Sequence, residues 1–306
     1  MTRPANTALR TSALVCAAAL LNLWVERPAM FAPEASSPSQ SGSVAGIAPR
    51  NPLQSPCPGC GFAPEPIDAK DYTGWTQIFD GKSLAGWDGN PEVWRVEDGA
   101  ITAVSTAERR LGTTYIIWRG GEPSDFELKL EIKADSDIHS GVFYRGKVGP
   151  NPPRPGAPTR GAGATPPRPQ PSFAVPADAK WNVTGYSLDF DYARDNDGNI
   201  QDTGGRSETQ IVWRGHVVRM EPGKRPRSIG SLGDRDALME KIVSGDWNAL
   251  HTIARGNQLT HIVNGQVMAV LIDDDPDARK MKGVIALQIE QYGTGKINFR
   301  NIWLKQ

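Results

Sequence analysis

Carboxyl and apolar side chains alternate in residues 185–191 of the sequence. Successive side chains of a β-strand point to opposite faces, so Ser187, Asp189 and Asp191 share one face and the apolar residues between them take the other. Burial of a carboxyl group on such a face raises its pKa, because the charged form loses its hydration. A raised pKa makes a carboxylate an effective general base near neutral pH. We therefore predict that Asp189 is a catalytic base; the alternative is a polar position on an exposed edge strand.

A second segment of this kind, residues 286–290, offers an amide and another carboxyl group. Gln288 and Glu290 share the face opposite the apolar residues between them. We predict that Glu290 takes part in acid–base catalysis and that Gln288 binds substrate. A glutamate needs a raised pKa to act as an acid near neutral pH, so the role of Glu290 depends on its surroundings.

Three residues in or beside the segment 140–145 complete the candidate site. Alternation puts Tyr144 on one face of this strand and Phe143 and Arg145 on the other. Arg145 is a third catalytic candidate, because an arginine is a strong, fixed donor to an oxygen atom or a developing negative charge. The alternative is a solvent-facing charge. Tyr144 and His139 are candidates for substrate binding, although a single histidine at a strand edge is more often merely exposed.

Other polar motifs have simpler explanations. Residues 195–199, followed by Asp202, carry alternating oxygen ligands like a calcium loop. The glycine comes too early for an EF-hand, so we interpret the segment as a polar turn. His251 and His261 occupy strand positions and are interpreted as packing or surface residues.

β-Strand patterns dominate the sequence from about residue 72 onward. In the clearest one, residues 125–133, apolar residues alternate strictly with charged ones, so one face is buried and the other is solvated. Asp98-Gly99 and Asn264-Gly265 each separate two strand patterns, as in hairpin turns that need positive φ at both positions. Helix signals are confined to residues 236–243. Many short strands without alternating helices predict an all-β, antiparallel sandwich.

A long segment rich in proline, glycine and arginine, residues 147–180, interrupts the strand patterns. An insertion of this length in a compact domain is usually either a binding loop or disordered. We expect a mobile loop that borders the site.

The N-terminal region has a different composition. Arg3 and Arg10 precede an apolar run over residues 13–25, an order typical of a secretory signal peptide, with cleavage expected near Ala32. An uncleaved N-terminal anchor is the alternative. Residues 33–70 are rich in proline, serine and glycine and are predicted to be a disordered linker. The sequence thus predicts an exported protein, periplasmic or extracellular, whose folded domain covers residues 71–306.

Composition narrows the classes of partner. The 306 residues include 34 Lys and Arg against 34 Asp and Glu, so no net field attracts the chain to nucleic acid or to an acidic membrane. We expect a neutral small molecule as partner, no nucleic acid, and no integral membrane domain beyond the N-terminal segment. Cys16, Cys57 and Cys60 all precede the folded domain, and we interpret the last two as a local disulfide or inert thiols.

Short motifs in a fixed order give the sequence a family resemblance. The run Thr-Gln-Ile-Phe-Asp-Gly-Lys-Ser-Leu-Ala-Gly-Trp at residues 76–87 resembles the opening signature of the 3-keto-disaccharide hydrolase family. Further matches follow in order at residues 94–99, 125–128, 140–145, 245–248, 264–265 and 299–302. The resemblance therefore extends over residues 75–304, the whole predicted domain.

The resemblance implies a jelly-roll sandwich of the concanavalin-A-like lectin and glucanase type, with a carbohydrate cleft across one concave sheet. Family members are associated with cleaving glycosides that are oxidised to a ketone at C3. The ketone acidifies the C2 proton, so a base forms an enolate that expels the glycosidic oxygen from C1, and water then adds back. Arg145 matches the family's motif arginine and would stabilise the enolate. A divalent metal ion is the alternative, and no other cofactor is implied.

One position departs from the family pattern. The family often has histidine where this chain has Glu290. Histidine acts as a base or metal ligand near neutral pH, whereas glutamate does so only with a shifted pKa. Either the chemistry persists with a carboxylate, or this protein is a non-catalytic carbohydrate-binding module. Convergence of the candidate residues in one small-molecule pocket favours the enzyme.

Overall fold

The computed structural model describes residues 71–135, 137–151, 173–191, 196–206 and 210–306. The predicted export segment and linker, the three cysteines, Asp195 and residues 152–172 of the predicted loop lie outside these ranges. The described residues belong to one compact unit. In this part of the chain, no helix has the length and apolar content that crossing a membrane requires.

Seventeen strands, one 3₁₀ turn (Ala179–Trp181) and one short helix, α1 (Arg235–Met239), make up the regular structure of the described residues. The strands are β1 (Thr76–Gln77), β2 (Trp87–Gly89), β3 (Arg95–Glu97), β4 (Ala100–Ser105), β5 (Thr114–Trp118), β6 (Phe126–Ala134), β7 (Ser140–Val148), β8 (Val183–Phe190), β9 (Ile200–Thr203), β10 (Gln210–Val212), β11 (His216–Met220), β12 (Arg227–Ser231), β13 (Asn248–Arg255), β14 (Gln258–Val263), β15 (Gln266–Asp273), β16 (Val284–Ile289) and β17 (Gly295–Lys305).

These strands form two sheets. The large sheet has ten strands in the order β12-β11-β15-β14-β13-β6-β17-β4-β3, with β1 paired to β17; the small sheet has seven, in the order β10-β9-β8-β7-β16-β5-β2. The predicted all-β sandwich of two sheets with one short helix is confirmed. The prediction of antiparallel strands needs one correction, because β11 and β15 pair in parallel.

The main core lies between the two sheets and draws apolar side chains from both. Along β6 every second residue is buried and the others are half-buried, as the sequence alternation predicted. Polar residues on the outward face of β6 keep it solvated, while the inward face contributes Leu128, Leu130 and Ile132 to the core. The large sheet is therefore built as a sheet with one buried face.

The middle of the small sheet is buried on both faces, since β8 and β16 are buried at every position. A second apolar cluster covers its outer face and consists of Tyr115, Ile117, Phe143, Val183, Val284 and Ala286, with Val148 and Trp181 packed against it. Polar side chains on this face are consequently removed from bulk water, which changes their protonation.

Both predicted hairpin turns are present. Asp98 and Gly99 have φ values of 50° and 76°, and Asn264 and Gly265 have φ values of 49° and 80°. These turns place β3 against β4 and β14 against β15.

The predicted helix is shorter than expected. It ends at Met239, and Asp234 caps its start by accepting hydrogen bonds from the backbone N–H groups of Asp236 and Ala237. Val243, which the sequence placed on the apolar stripe of the helix, is exposed. The prediction was wrong there because the chain leaves the helix before a second turn forms.

Candidate functional site

Four neighbouring strands of the small sheet place two predicted residues in one row. Asp189 on β8 pairs with Gly141 on β7, Gly141 with Gln288 on β16, and Gln288 with Tyr115 on β5. Directly paired residues point to the same face of a sheet. That face is the outer one, because Leu188 and other alternate residues belong to the core between the sheets.

Gly141 lets the neighbouring side chains pack over the middle of this row. A Cβ atom at residue 141 would lie 3.2 Å from the carbonyl oxygen of Leu188 and 3.3 Å from Oε1 of Gln288. The amide oxygen of Gln288 therefore stands above the glycine, on the side of Asp189. Because residue 141 has no side chain, the amide of Gln288 and the ring of Phe143 occupy the space above it.

Asp189 is a buried carboxyl group held by neutral donors. Ser187 Oγ donates to its Oδ1 at 2.8 Å, and Gln210 Nε2 donates to its Oδ2 at 3.1 Å. Burial raises the pKa of Asp189 to about 8; the two hydrogen bonds oppose this shift, and the charges of Glu290 and Asp191 add to it. The predicted face and the predicted raised pKa of Asp189 are both present in the structure.

Tyr115 closes the row at the other end. Gln288 Nε2 donates to the Tyr115 hydroxyl at 3.0 Å, and the tyrosine ring packs edge-on against Phe143, with ring centroids 4.9 Å apart. Burial raises the pKa of Tyr115, and the charges of Glu290 and Asp189 raise it further. Tyr115 therefore keeps its proton throughout the neutral range.

A histidine stands between two carboxylates beside this row. His139 Nδ1 lies 3.3 Å from Asp191 Oδ2 and 3.8 Å from Glu290 Oε2. The backbone N–H of Glu290 donates to the carbonyl oxygen of His139 at 3.0 Å, which fixes the two residues side by side. His139 is buried, contrary to the exposed alternative, whereas Glu290 is partly accessible.

Arg145 does not join this site. Its guanidinium donates to three backbone carbonyls, those of Ser124, Gly256 and Lys280, at 2.9, 2.8 and 3.1 Å, and to Asp125 Oδ1 at 3.3 Å. Ser124 and Gly256 adjoin strands of the large sheet, so Arg145 reaches across the sandwich. These hydrogen bonds give Arg145 a structural role, because they join β7 to the loops beside the large sheet.

The expected face of Arg145 was wrong because β7 contains a bulge. The register between β7 and β8 shifts between Tyr144 and Lys147, and Arg145 has a φ of 47°. Positive φ turns the side chain out of the regular alternation. Phe143, its expected neighbour, stays on the outer face of the small sheet.

Tyr144 is also placed away from the row. It is fully buried in the core between the sheets, and its hydroxyl hydrogen-bonds His261 Nε2 at 2.7 Å. Burial lowers the pKa of His261 to about 3, so this histidine is a neutral packing residue, as predicted. Tyr144 thus has a structural partner, and the structure does not support its predicted contact with substrate.

A second buried polar group, the Asp273 cluster, consists of Tyr186, Asp202, Arg206, Asp273 and Lys280. Arg206 forms ion pairs with both Asp273 and Asp202, and Lys280 pairs with Asp202. Tyr186 donates to Asp273 Oδ2 at 2.6 Å. Tyr186 is on β8 of the small sheet and Asp273 is on β15 of the large one, so the cluster joins the two sheets.

The described part of the predicted polar turn makes structural contacts. Asp197 Oδ1 accepts from the backbone N–H of Asp191 at 3.0 Å, and Asn199 Oδ1 accepts from the backbone N–H of Arg214 at 2.6 Å. Both side chains are buried. These contacts fix the chain just beyond β8 and thereby hold Asp191 next to His139.

Among the described residues, no group of three or more His, Cys, Asp or Glu side chains has the arrangement of a metal site. An open groove elsewhere on the described surface, lined by Asn90, Glu92 and residues 174–179, contains none of the predicted site residues.

Two residues of the site, Tyr115 and Gln210, were not predicted from the sequence. Tyr115 lies in Thr-Tyr-Ile-Ile-Trp, an apolar run without alternation that gives no sign of which face each residue takes. Gln210 belongs to a strand of three residues, too short to be recognised. The aromatic and β-branched content of residues 114–118 was the available signal for a strand at Tyr115.

Two solved structures are similar to this chain at low sequence identity. A Bacillus subtilis protein with a galectin-like fold is 12% identical, with a TM-score of 0.43, 78% of this chain and 92% of that chain covered. The β-glucanase of Bacillus licheniformis is 9% identical, with a TM-score of 0.40, 76% of this chain and 97% of that chain covered.

The sequence relatives are more specific. A 3-keto-disaccharide hydrolase of Bacteroides thetaiotaomicron is 34% identical over 86 residues, which are 26% of this chain and 29% of that protein. The chain thus matches less than a third of that relative's length. The family model of the 3-keto-alpha-glucoside-1,2-lyase-like domain matches residues 74–305. The chain therefore belongs to the family of 3-keto-alpha-glucoside-1,2-lyase-like domains, as its ordered motifs predicted.

Proposed function

We propose that this protein is a carbohydrate-active enzyme that cleaves glycosides carrying a ketone at C3 of the sugar ring. The observation that carries the proposal is the state of Asp189. It is a buried carboxyl group with a pKa of about 8, placed in a row with Gln288 and near Glu290 and His139, in a domain of this family. Perturbed carboxyl groups beside convergent polar groups mark catalytic sites.

In the first step, the Asp189 carboxylate takes the proton from C2. The electron pair of the C2–H bond moves into the ring and becomes an enolate shared by C2, C3 and the ketone oxygen. A base is most effective when its pKa lies near the working pH, because a stronger base takes the proton more readily while still being partly ionised. The pKa of Asp189 meets this condition.

In the second step, the enolate pair forms the C1=C2 double bond and the bond from C1 to the glycosidic oxygen breaks. The leaving oxygen takes a proton from the pair formed by Glu290 and His139, which stand 3.8 Å apart. Water then adds to C1 and a proton returns to C2, so that the overall reaction is hydrolysis. His139 supplies an imidazole beside Glu290, where the family often carries a histidine.

The direct test is cleavage of a 3-keto-disaccharide compared with its unoxidised parent, each with and without a chelator. We expect cleavage of the keto-sugar alone, because only the ketone acidifies C2. With Asp189 as the base, kcat/KM rises with pH up to about 8 and is constant above it. A rate that falls above pH 8 would instead make Asp189 the acid.

A carbohydrate-binding module is the second candidate function. A pKa of about 8 leaves most Asp189 side chains protonated at pH 7, and a neutral carboxyl group is a good hydrogen-bond donor to a sugar oxygen. Binding of the keto-sugar or its parent without cleavage, measured by calorimetry at pH 7 and pH 9, would establish this function in place of the enzyme.

We further propose that the protein acts after export, because Arg3 and Arg10 precede the apolar run over residues 13–25. N-terminal sequencing of the protein recovered from the producing cells tests this. A new terminus near Ala32 supports a cleaved signal peptide, and an intact Met1 on cytoplasmic protein overturns the proposal.

A further inference from the structure

The proposed reaction places negative charge on the ketone oxygen, and this charge needs a donor. Preorganised donors aimed at a developing oxyanion are among the largest single contributions to catalysis. The sequence assigned this task to Arg145, but the structure commits its guanidinium to three backbone carbonyls and Asp125. The donor therefore has to come from another residue near Asp189.

We propose that Tyr115 is a catalytic residue that donates its hydroxyl hydrogen to the ketone oxygen and the enolate; this inference rests on the proposed function. Tyr115 stands in the same row as Asp189, on the outer face of the small sheet, separated from it by Gly141 and Gln288. The amide oxygen of Gln288 and the ring of Phe143 lie over Gly141. A sugar ring that reaches the Gln288 amide faces the carboxyl group on one side and the phenol on the other.

The hydrogen bond from Gln288 sets the orientation of the phenol. Because Gln288 Nε2 donates to Tyr115 Oη at 3.0 Å, the phenol oxygen acts as acceptor there and its own hydrogen points elsewhere. No acceptor for that hydrogen is found within the described residues. The Gln288 contact thus prepares a buried O–H group for a ligand, and a carbonyl oxygen, which only accepts, is its complement.

The surroundings of Tyr115 suit a donor that is never ionised. The charges of Glu290 and Asp189 both act on the phenol, which shows that the acid and the base of the proposed mechanism lie within electrostatic reach. Burial also raises its pKa, so Tyr115 stabilises the enolate as a neutral donor and does not compete with Asp189 for the proton of C2.

Tyr115→Phe removes the donor and keeps the ring that packs against Phe143. We expect kcat for the 3-keto-disaccharide to fall about a hundred- to a thousandfold, as for loss of one oxyanion donor. The pH dependence with its inflection near 8 is kept, since Asp189 is intact. Tyr72→Phe, on an exposed tyrosine outside the small sheet, is the matched control and retains the wild-type rate.

Exchange of the C2 hydrogen in D₂O separates the steps. Tyr115→Phe slows both exchange and cleavage, because the enolate itself is less stable. Glu290→Gln slows cleavage and leaves exchange intact, because only departure of the leaving group is affected. Loss of cleavage with normal exchange in Tyr115→Phe would show that Tyr115 serves the leaving group and would overturn the inference.

The outcomes also distinguish this inference from the proposed function. If the wild-type protein does not cleave the keto-sugar, the proposed function fails and the role of Tyr115 fails with it. If the wild type cleaves it and Tyr115→Phe is equally active, only the role of Tyr115 is wrong. Should Tyr115→Phe fold poorly because Gln288 loses its acceptor, the double variant with Gln288→Leu is measured against Gln288→Leu alone, so that the additional loss of rate reports on the Tyr115 hydroxyl and an equal rate overturns the inference.

Discussion

Two buried aspartates, one in each sheet of the sandwich, have opposite protonation behaviour. Asp189 has neutral donors, Ser187 and Gln210, and burial raises its pKa to about 8. The side chain of Asp273 is also buried, and burial disfavours its charge, but its hydrogen bonds with Arg206 and Tyr186 outweigh burial and lower its pKa. The cation decides the outcome, since a buried carboxylate without one gives up its charge.

The difference indicates that Asp189 is suited to proton transfer, whereas Asp273 is suited to a structural role. In the Asp273 cluster the charge of each carboxylate is compensated inside the molecule, and the cluster links the two sheets. At Asp189 the hydrogen bonds come from a hydroxyl and an amide, and a buried carboxyl group with such partners can accept and release a proton near neutral pH. A substitution at Asp189 should therefore affect mainly the reaction rate, whereas a substitution in the Asp273 cluster should affect mainly the free energy of unfolding.

The largest effect is expected from Asp189→Asn, which removes the base and keeps the shape of the side chain. A positioned base contributes about a hundred- to ten-thousandfold, and cleavage of the 3-keto-disaccharide should fall by this factor. Asp98→Asn makes the same chemical change in an exposed hairpin turn and should leave kcat unchanged. Full activity in Asp189→Asn would show that its raised pKa serves no catalytic purpose.

On the structural side, Arg206→Met should destabilise the fold strongly. Asp273 would keep its burial and lose its cation, and breaking a buried ion pair by removing one partner costs about 3–5 kcal/mol. Urea unfolding followed by tryptophan fluorescence measures the change. Arg95→Met, which breaks an exposed pair with Glu97, is the control and should cost less than about 1 kcal/mol. Similar losses in the two variants would contradict the structural role of the cluster.

Arg145→Ala tests whether Arg145 has a structural role and no catalytic one. Removal of the guanidinium leaves the carbonyls of Ser124, Gly256 and Lys280 without their donor. Hydrogen bonds to charged groups contribute about 1.5–3 kcal/mol, so we expect a loss of stability of about this size or more. The kcat per folded molecule should remain near that of the wild type below the melting transition. A soluble, stable variant that has lost only kcat would restore Arg145 to the site.

Much of the fold was accessible from the sequence because its signals are local. Strict alternation over residues 125–133 and the turn pairs at Asp98 and Asn264 depend on a few neighbouring residues, and all three appear as predicted. The face shared by Ser187 and Asp189 was predicted in the same way, and their hydrogen bond confirms it.

The rest of the site depends on information that local patterns do not contain. The bulge at Arg145 turns its side chain away from the face that strict alternation predicts. The neighbouring residues contain no signal for this shift of register. Tyr115 faces Gln288 only because β5 pairs with β16, strands that are far apart in the sequence. Pairing between distant strands follows from the packing of the whole sandwich, so the partners of Gln288 and Asp189 required the structure.

The smallest expected effect is the pH dependence of the unfolding free energy. It compares the protonation of Asp189 and Asp273 directly. The folded pKa of Asp189, about 8, lies above its ordinary value of 3.8, so between these pH values the folded protein binds more protons than the unfolded chain. Stability from this group is complete below about pH 4 and is lost as the pH rises towards 8. An asparagine side chain does not titrate. The unfolding free energy of Asp189→Asn should therefore increase relative to that of the wild type as the pH rises.

One pH unit of such a shift corresponds to about 1.4 kcal/mol, and we expect the gain between pH 5 and pH 9 to exceed this amount in urea titrations. Asp273→Asn should show the opposite trend. Because the folded pKa of Asp273 is lowered, its stabilisation is present above the unfolded pKa and disappears on acidification. The deficit of Asp273→Asn relative to the wild type is therefore largest at neutral pH and shrinks in acid. Parallel pH profiles for the two variants would mean that the two aspartates do not differ in the way their partners indicate.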